Sequence, residues 1–266
     1  MSSWLWNWTP WINPPPPPTT LERARAHIRS YDPLKLVANV FAAGLVTSLG
    51  LGAYYKRFLK RIPTAGYVTP NMITGRRVIK GVVTRVGDAD NFRIYHTTAL
   101  HTAIPTTEQE LRNQTIHVRL AGVDAPEGPH FGHEGQPGYE ESMTGLTKLV
   151  LGRTVYCELL GKDRYGRIIA MAYLRDPRFI YLIRHRKCVS LKMLQLGLAV
   201  TYEGKDAKYG DYTKEEFMHH EKVALSKRLG IFKDGPLLET PAEYKRRCAK
   251  NGEVAGGEAG NDETLG

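Results

Sequence analysis

Arg119, Asp124 and Glu127 fall within nine positions on the stretch HVRLAGVDAPE. An acidic turn, Gly87-Asp88-Ala89-Asp90-Asn91, precedes them, and Lys162-Asp163-Arg164-Tyr165-Gly166-Arg167 follows. Together these motifs offer clustered carboxylates for a hard metal ion, which prefers oxygen ligands, and one further carboxylate able to take a proton. They also offer two guanidinium groups, which match the geometry of phosphate oxygens and keep their charge at any ordinary pH. These are the parts needed to cut a phosphodiester.

Chain geometry has to bring the parts together. Residues 118–123 have β-branched ends and small residues between, and Pro126 follows, so they read as a buried strand running into a sharp turn. Asp124 then lies at the strand's end. Side chains alternate along a strand, which places Arg119, Ala121 and Val123 on one side and Leu120 on the other. Pro126 stiffens the loop that presents Glu127. Asp88 and Asp90 occupy a turn between the alternating runs 81–86 and 92–96, which read as the two strands of a hairpin.

On these residues the chain resembles the staphylococcal (thermonuclease-like) nuclease family from about residue 80 to residue 232. The motifs that carry the likeness are Asp88-Ala89-Asp90-Asn91, the run from Arg119 to Glu127, and Asp163-Arg164-Tyr165-Gly166-Arg167, in the family's order and at compatible separations. With the N-terminal segment described below, it is most similar to the fungal membrane-anchored endonucleases of that family, often described as mitochondrial. The resemblance implies calcium bound by Asp90, Asp124 and the backbone carbonyl of Ala125, with Asp88 a ligand or just behind the ligands. It also implies Glu127 as general base, Arg119 and Arg167 on the phosphate, and products with 3′-phosphate ends. DNA, and RNA with it, would be the substrate. The family's Asp-Gly-Asp-Thr turn has Ala89 and Asn91 in its Gly and Thr positions here. An aromatic position near the substrate base holds Val200, while Tyr202, two residues on, is retained as a substrate-binding residue.

The remaining segments complete a small α+β domain over residues 76–235. Strands are expected at 154–160 and 167–174, and helices at 139–151, 190–196 and 213–228. The last of these starts with a capping box, Thr213 and Glu216, and has Phe217, Ala224 and Leu225 facing the core. Five short strands with appended helices fit an OB-fold barrel, an assignment that rests on the resemblance. Residues 97–114, polar and rich in Thr, are expected to lengthen a hairpin loop. Residues 175–187 carry five basic residues around Phe179 and Tyr181, and fit either a nucleic-acid backbone contact or a solvated hairpin edge.

Upstream, residues 36–55 form an uncharged stretch between Lys35 and Lys56-Arg57, about the 20 residues that a bilayer-spanning helix needs. This predicts a single-pass membrane anchor through 36–55, with the lipid bilayer as a partner. Residues 1–35 make a Trp- and Pro-rich segment, 56–75 a basic juxtamembrane linker and 236–266 a polar tail whose end, from 251, is expected to be disordered. Four basic residues flank the span on each side, so charge does not fix its orientation. Of the net charge of +10, residues 1–61 carry +6, which leaves little bulk charge on the nuclease-like part. The three cysteines have no metal spacing and imply no disulfide framework, and His130, His133 and Glu134 sit in a Gly- and Pro-rich loop, not on one helix face.

The sequence thus points to a hydrolase of phosphodiester bonds, with two alternatives standing beside it. One is a catalytically weak nuclease fold that binds nucleic acid or protein at a membrane; the other is an adaptor that docks through its proline run. No protein partner is implied.

Overall fold

The computed structural model describes residues 18–29, 32–129, 135–174 and 188–250. The chain divides into two compact units, Met1–Arg57 and Phe58–Gly266. The loop around His130 and His133, the basic insertion at 175–187, the tryptophans of residues 1–17 and the stretch from 251 onward lie outside the described residues.

In the first unit, helix α1 (Thr20–Arg29) is followed by α2 (Pro33–Tyr54), which starts where Asp32 accepts the Leu34 amide at 3.0 Å and Pro33 takes the first turn. The helical path continues in wider turns over Tyr55–Leu59. From Pro33 to Leu59 it runs 27 residues with a mean hydropathy of 1.8 over its most apolar window, and none of that window is buried against protein. The apolar helix is therefore longer at both ends than the expected 36–55. Thr47 returns its hydroxyl to the Ala43 carbonyl at 2.8 Å, which satisfies a polar group inside the apolar run.

The second unit is built on a closed five-stranded barrel of β1 (Val78–Asp88), β2 (Asn91–His96), β3 (Ile116–Leu120), β5 (Thr154–Lys162) and β6 (Ile168–Tyr173). The order around the ring is β1-β2-β3-β6-β5, with β3 and β6 parallel and every other pair antiparallel. This is the OB-like α+β arrangement the sequence led us to expect. Register irregularities in β1 after Val83 and Val86 let one long strand bend and pair with both neighbours. Phe92, Ile94, Ile116, Val118, Leu120, Val155, Cys157, Leu159, Ile168 and Ala170 alternate inward to fill the core. Truncating one of the buried leucines, such as Leu120 or Leu159, to Ala would cost about 2–5 kcal/mol. Around the barrel lie the short α3 (Pro70–Thr74) and α4 (Glu108–Leu111), then α5 (Tyr139–Val150), α6 (Val189–Gln195), α7 (Lys214–Ser226) and α8 (Pro241–Lys250). The capping box of α7 forms with both hydrogen bonds, and Phe217 and Ala224 are buried.

Three expectations are corrected. The strand read over 118–123 breaks after Leu120. Gly122, at φ +75, turns the chain so that Val123–Asp124 forms a separate two-residue strand, β4, paired with β7 (Val200–Thr201). A side chain at 122 would also strike the Phe217 ring, 2.6 Å from an added Cβ. Residues 58–75 are not a free linker. Ile62 and Val68 enter the core, the Ile62 amide donates to His96 Nδ1 at 2.9 Å, the Thr98 hydroxyl donates to the Leu59 carbonyl at 3.0 Å, and Arg61 stacks 3.8 Å above Tyr95. Finally, 236–266 is not all tail, because α8 occupies Pro241–Lys250 within it.

Candidate active site

Strand register explains how distant motifs meet. Asn91 pairs with Arg119 across β2 and β3, and the Leu120 amide donates to the Asp90 carbonyl at 2.9 Å, so the acidic turn lies beside the arginine. Asp88 and Asn91 pair across a two-residue turn, Ala89 and Asp90, that closes the β1-β2 hairpin. Ala89 is buried and keeps a negative φ: among the described residues only Arg76, Asn113 and Arg228 depart from this outside glycine. The family's glycine is therefore not required for this turn.

Arg119 Nη2 lies 3.2 Å from Asp90 Oδ2 and 3.1 Å from Asp124 Oδ1, so one guanidinium joins two carboxylates brought in by different elements. Asp124 is almost fully buried, and its Oδ2 has no hydrogen-bond partner. Glu127 is held through its backbone: its amide donates to Gln136 Oε1 at 3.0 Å, and its carbonyl accepts the Gln136 amide at 2.8 Å. Arg167 pairs through Nε with Asp163 Oδ2 at 2.6 Å, in a turn where Asp163 Oδ1 also accepts the Tyr165 and Arg167 amides. Gly166, at φ +81, permits that tight turn. Tyr202, whose amide donates to the Gly122 carbonyl, sets its ring 5.5 Å from the Arg119 guanidinium. Ala125 is buried next to Asp124. Arg119, Asp90, Asp124 and Tyr202 thus converge, with Glu127 drawn in through the lysine described next.

Two features were missed from the sequence. Lys245 of α8 places Nζ 2.9 Å from Asp124 Oδ1 and 2.6 Å from Glu127 Oε1. A second network runs behind Asp90: Asn91 Nδ2 donates to Asp90 Oδ1 at 3.0 Å, and His117 Nε2 lies 2.9 Å from Asn91 Oδ1. Burial, with Arg93 and Arg167 adding to it, pushes His117 down to about 4, so the ring is neutral near pH 7. The Asn91 amide therefore fixes the tautomer with the proton on Nε2, which donates to Oδ1.

Charge is unevenly shared among the carboxylates. Burial would raise Asp90, but Arg119, Lys245 and Arg167 outweigh it and hold the group below the usual carboxylate range. Burial dominates at Asp124 and at Glu127 and raises both, although Lys245 pulls the other way. Asp88 is pushed up to about 7, first by burial and then by the charges of Asp90 and Glu127. Such a set of oxygen donors fits a hard divalent cation, and the unpartnered Asp124 oxygen is the observation that favours one. Among the described residues no three His, Cys, Asp or Glu side chains already stand as a cage, because Arg119 and Lys245 are interleaved between the carboxylates.

Residues 117–234 match the family described as staphylococcal nuclease homologue. Among curated relatives, a probable endonuclease LCL3 of Schizophyllum commune is 45% identical over 221 residues, covering 79% of this chain and 74% of that protein. The chain belongs to the staphylococcal nuclease family. A probable endonuclease LCL3 of Colletotrichum graminicola is 40% identical, covering 76% of this chain and 74% of its own length, and one of Candida albicans is 40% identical, covering 78% and 89%. These alignments extend well beyond the 117–234 core of the family.

Proposed function

We propose that this chain is a membrane-anchored, calcium-dependent endonuclease that hydrolyses phosphodiester bonds of DNA, and of RNA with it. The observation that carries the reading is the convergence of Asp90, Asp124 and Arg119, with a buried Asp124 oxygen left without a partner. Asp90, Asp124 and the Ala125 carbonyl would hold the ion, with Asp88 beside them. Calcium, when bound, supplies Lewis-acid polarisation of the phosphate and a template for water.

The chain's own groups account for the rest. Glu127, whose basicity burial raises, takes the proton of the attacking water. Arg119 and Arg167 fork onto the phosphate oxygens and neutralise the charge that develops there. Tyr202, fixed beside Arg119, offers a face to the substrate. No protein nucleophile is needed, so hydrolysis is direct. Retention of Arg119, Glu127 and Arg167 together favours catalysis over a binding-only role. The apolar helix Pro33–Leu59 supports anchoring in a bilayer, which by resemblance to the anchored fungal endonucleases is mitochondrial.

The test is incubation of the full chain in detergent with single-stranded and duplex DNA, with calcium and with chelator. Cleavage that requires calcium is expected. Undiminished cleavage in chelator would remove the metal assignment, and absence of cleavage under every condition would remove the enzymatic one.

A further inference from the structure

Helix α8 has an unusual residue on its inward face. Pro241, Tyr244 and Cys248 are buried, a stripe at the spacing of one helix face, and Lys245 lies within that stripe. A lysine turned inward is costly unless it is paired. Here it is paired twice, with carboxylates that stand 121 and 118 positions away in sequence. Tyr244 and Cys248 belong to neither hydrophobic core cluster, so α8 is a separate layer laid against the site and not part of the barrel's interior.

We propose that Lys245 is a positioning residue of the catalytic centre, which orients the carboxylate of Asp124 and ties it to Glu127. The geometry supports this at the level of single oxygens. Asp124 Oδ1 accepts from Arg119 Nη2 at 3.1 Å and from Lys245 Nζ at 2.9 Å, which uses both of its lone-pair directions. The broad, two-fold torsion of an aspartate leaves its carboxylate free to rotate unless something holds it. With Oδ1 held from two sides, Oδ2 is the oxygen left over, and it is the only buried carboxylate oxygen without a hydrogen-bond partner among the described residues. Lys245 therefore occupies the oxygen that a cation does not need and leaves the other one to it. Through its 2.6 Å contact with Glu127 Oε1, the same ammonium also fixes the spacing between the group proposed to bind the metal and the group proposed to accept the proton. This rests on the proposed nuclease reading of the site, but its binding consequence can be measured without cleavage.

The experiment uses the full chain in detergent and two variants, Lys245→Met and Lys245→Arg, with a third chain ended after residue 238 to remove α8 altogether. Terbium luminescence and calcium titration calorimetry read cation binding, single-turnover cleavage of single-stranded DNA reads chemistry, and thermal unfolding reads the fold. Residues that orient metal ligands typically affect affinity or activity by about ten- to a hundred-fold when removed. Lys245→Met and the truncated chain should lose about that much in cation affinity and in single-turnover rate, with KM for DNA little changed. Lys245→Arg should recover part of both losses, which a merely structural role would not predict. The proposal is overturned if Lys245→Met binds the cation more tightly and cuts faster at low calcium, since Lys245 would then be a tethered competitor. It is equally overturned if both measurements are unchanged. Should the wild type fail to cut at all, the nuclease reading falls while the cation-binding comparison still decides the role of Lys245.

Discussion

Burial and a neighbouring cation act in opposite directions on Glu127, and burial prevails, so its carboxyl binds a proton more readily than an exposed glutamate does. If it is the base, as proposed, it acts only above its own ionisation, and the cleavage rate should show an acid limb. Glu127→Gln keeps the size and the hydrogen bonding but cannot accept the proton. At saturating calcium, single-turnover cleavage by that variant should fall at least a hundred-fold and lose the acid limb, while calcium affinity changes little. Persistence of the limb would assign it to another group and leave Glu127 as an organiser of its loop. The two arginines should separate in the same assay. Arg119 touches Asp90 and Asp124 and lies beside Tyr202, whereas Arg167 touches Asp163 in its own turn. Lysine cannot reproduce a planar fork. Arg119→Lys should therefore lower both the rate and the cation affinity, and Arg167→Lys the rate alone. Equal losses of cation affinity in the two variants would contradict that division.

Elements with a strong local period were legible in the sequence, and those held by distant partners were not. The β1-β2 hairpin announces itself by alternation around an acidic turn, and α7 by its capping box and its buried Phe217. The site motifs were legible for a related reason, since Arg119, Asp124 and Glu127 are neighbours in sequence. β4 and β7 are two residues each, too short for any period, and it is their pairing, opposite Gly122, that ends the longer strand expected there. Helix α8 carries a signal, since Thr240 and Glu243 cap each other reciprocally and Pro241 opens the helix, but the polar composition of PAEYKRRCAK reads as tail. Nothing local to Lys245 points to Asp124. The segment 58–75 lacks a period as well, and its packing depends on His96. Burial, reinforced by Arg77 and Arg61, pushes that imidazole down to about 4 and keeps it neutral, which lets Nδ1 accept the Ile62 amide. Because the folded-state value is depressed below the unfolded one near 6.5, this contribution is complete above pH 6.5 and is lost as the pH falls towards 4. In chelator, the stability difference between wild type and His96→Asn, which titrates at neither pH, should shrink by up to about 3 kcal/mol over that window. Denaturant unfolding at pH 7, 6 and 5 measures it, and a difference independent of pH would remove His96 from the account.

At the scale of the whole molecule, the candidate site and the proposed anchor occupy different stretches of chain. All of the candidate site residues lie in the unit Phe58–Gly266, and the apolar helix begins in the other, at Pro33. Among the described residues, the first in the barrel's core is Ile62. A chain beginning at Phe58 should therefore fold and keep the cleavage rate of the full chain, while losing its association with membranes. A chain beginning at residue 76, the start of the domain as read from sequence, would lack Ile62 and Val68 and the partner of His96, and should be destabilised by several kcal/mol from two emptied core positions. Flotation with phospholipid vesicles separates the functions of the two units: the full chain should rise with the vesicles and resist extraction by alkaline carbonate, as a spanning helix does, and the chain from Phe58 should stay in solution. If the shortened chain still floated and resisted carbonate, attachment would have to come from the barrel or its appended helices, and the apolar helix would lose its assigned role. If the full chain were released by carbonate, the helix would lie at the interface instead of crossing it. Either result would leave the candidate centre untouched, because the contacts described for it join residues of the unit Phe58–Gly266.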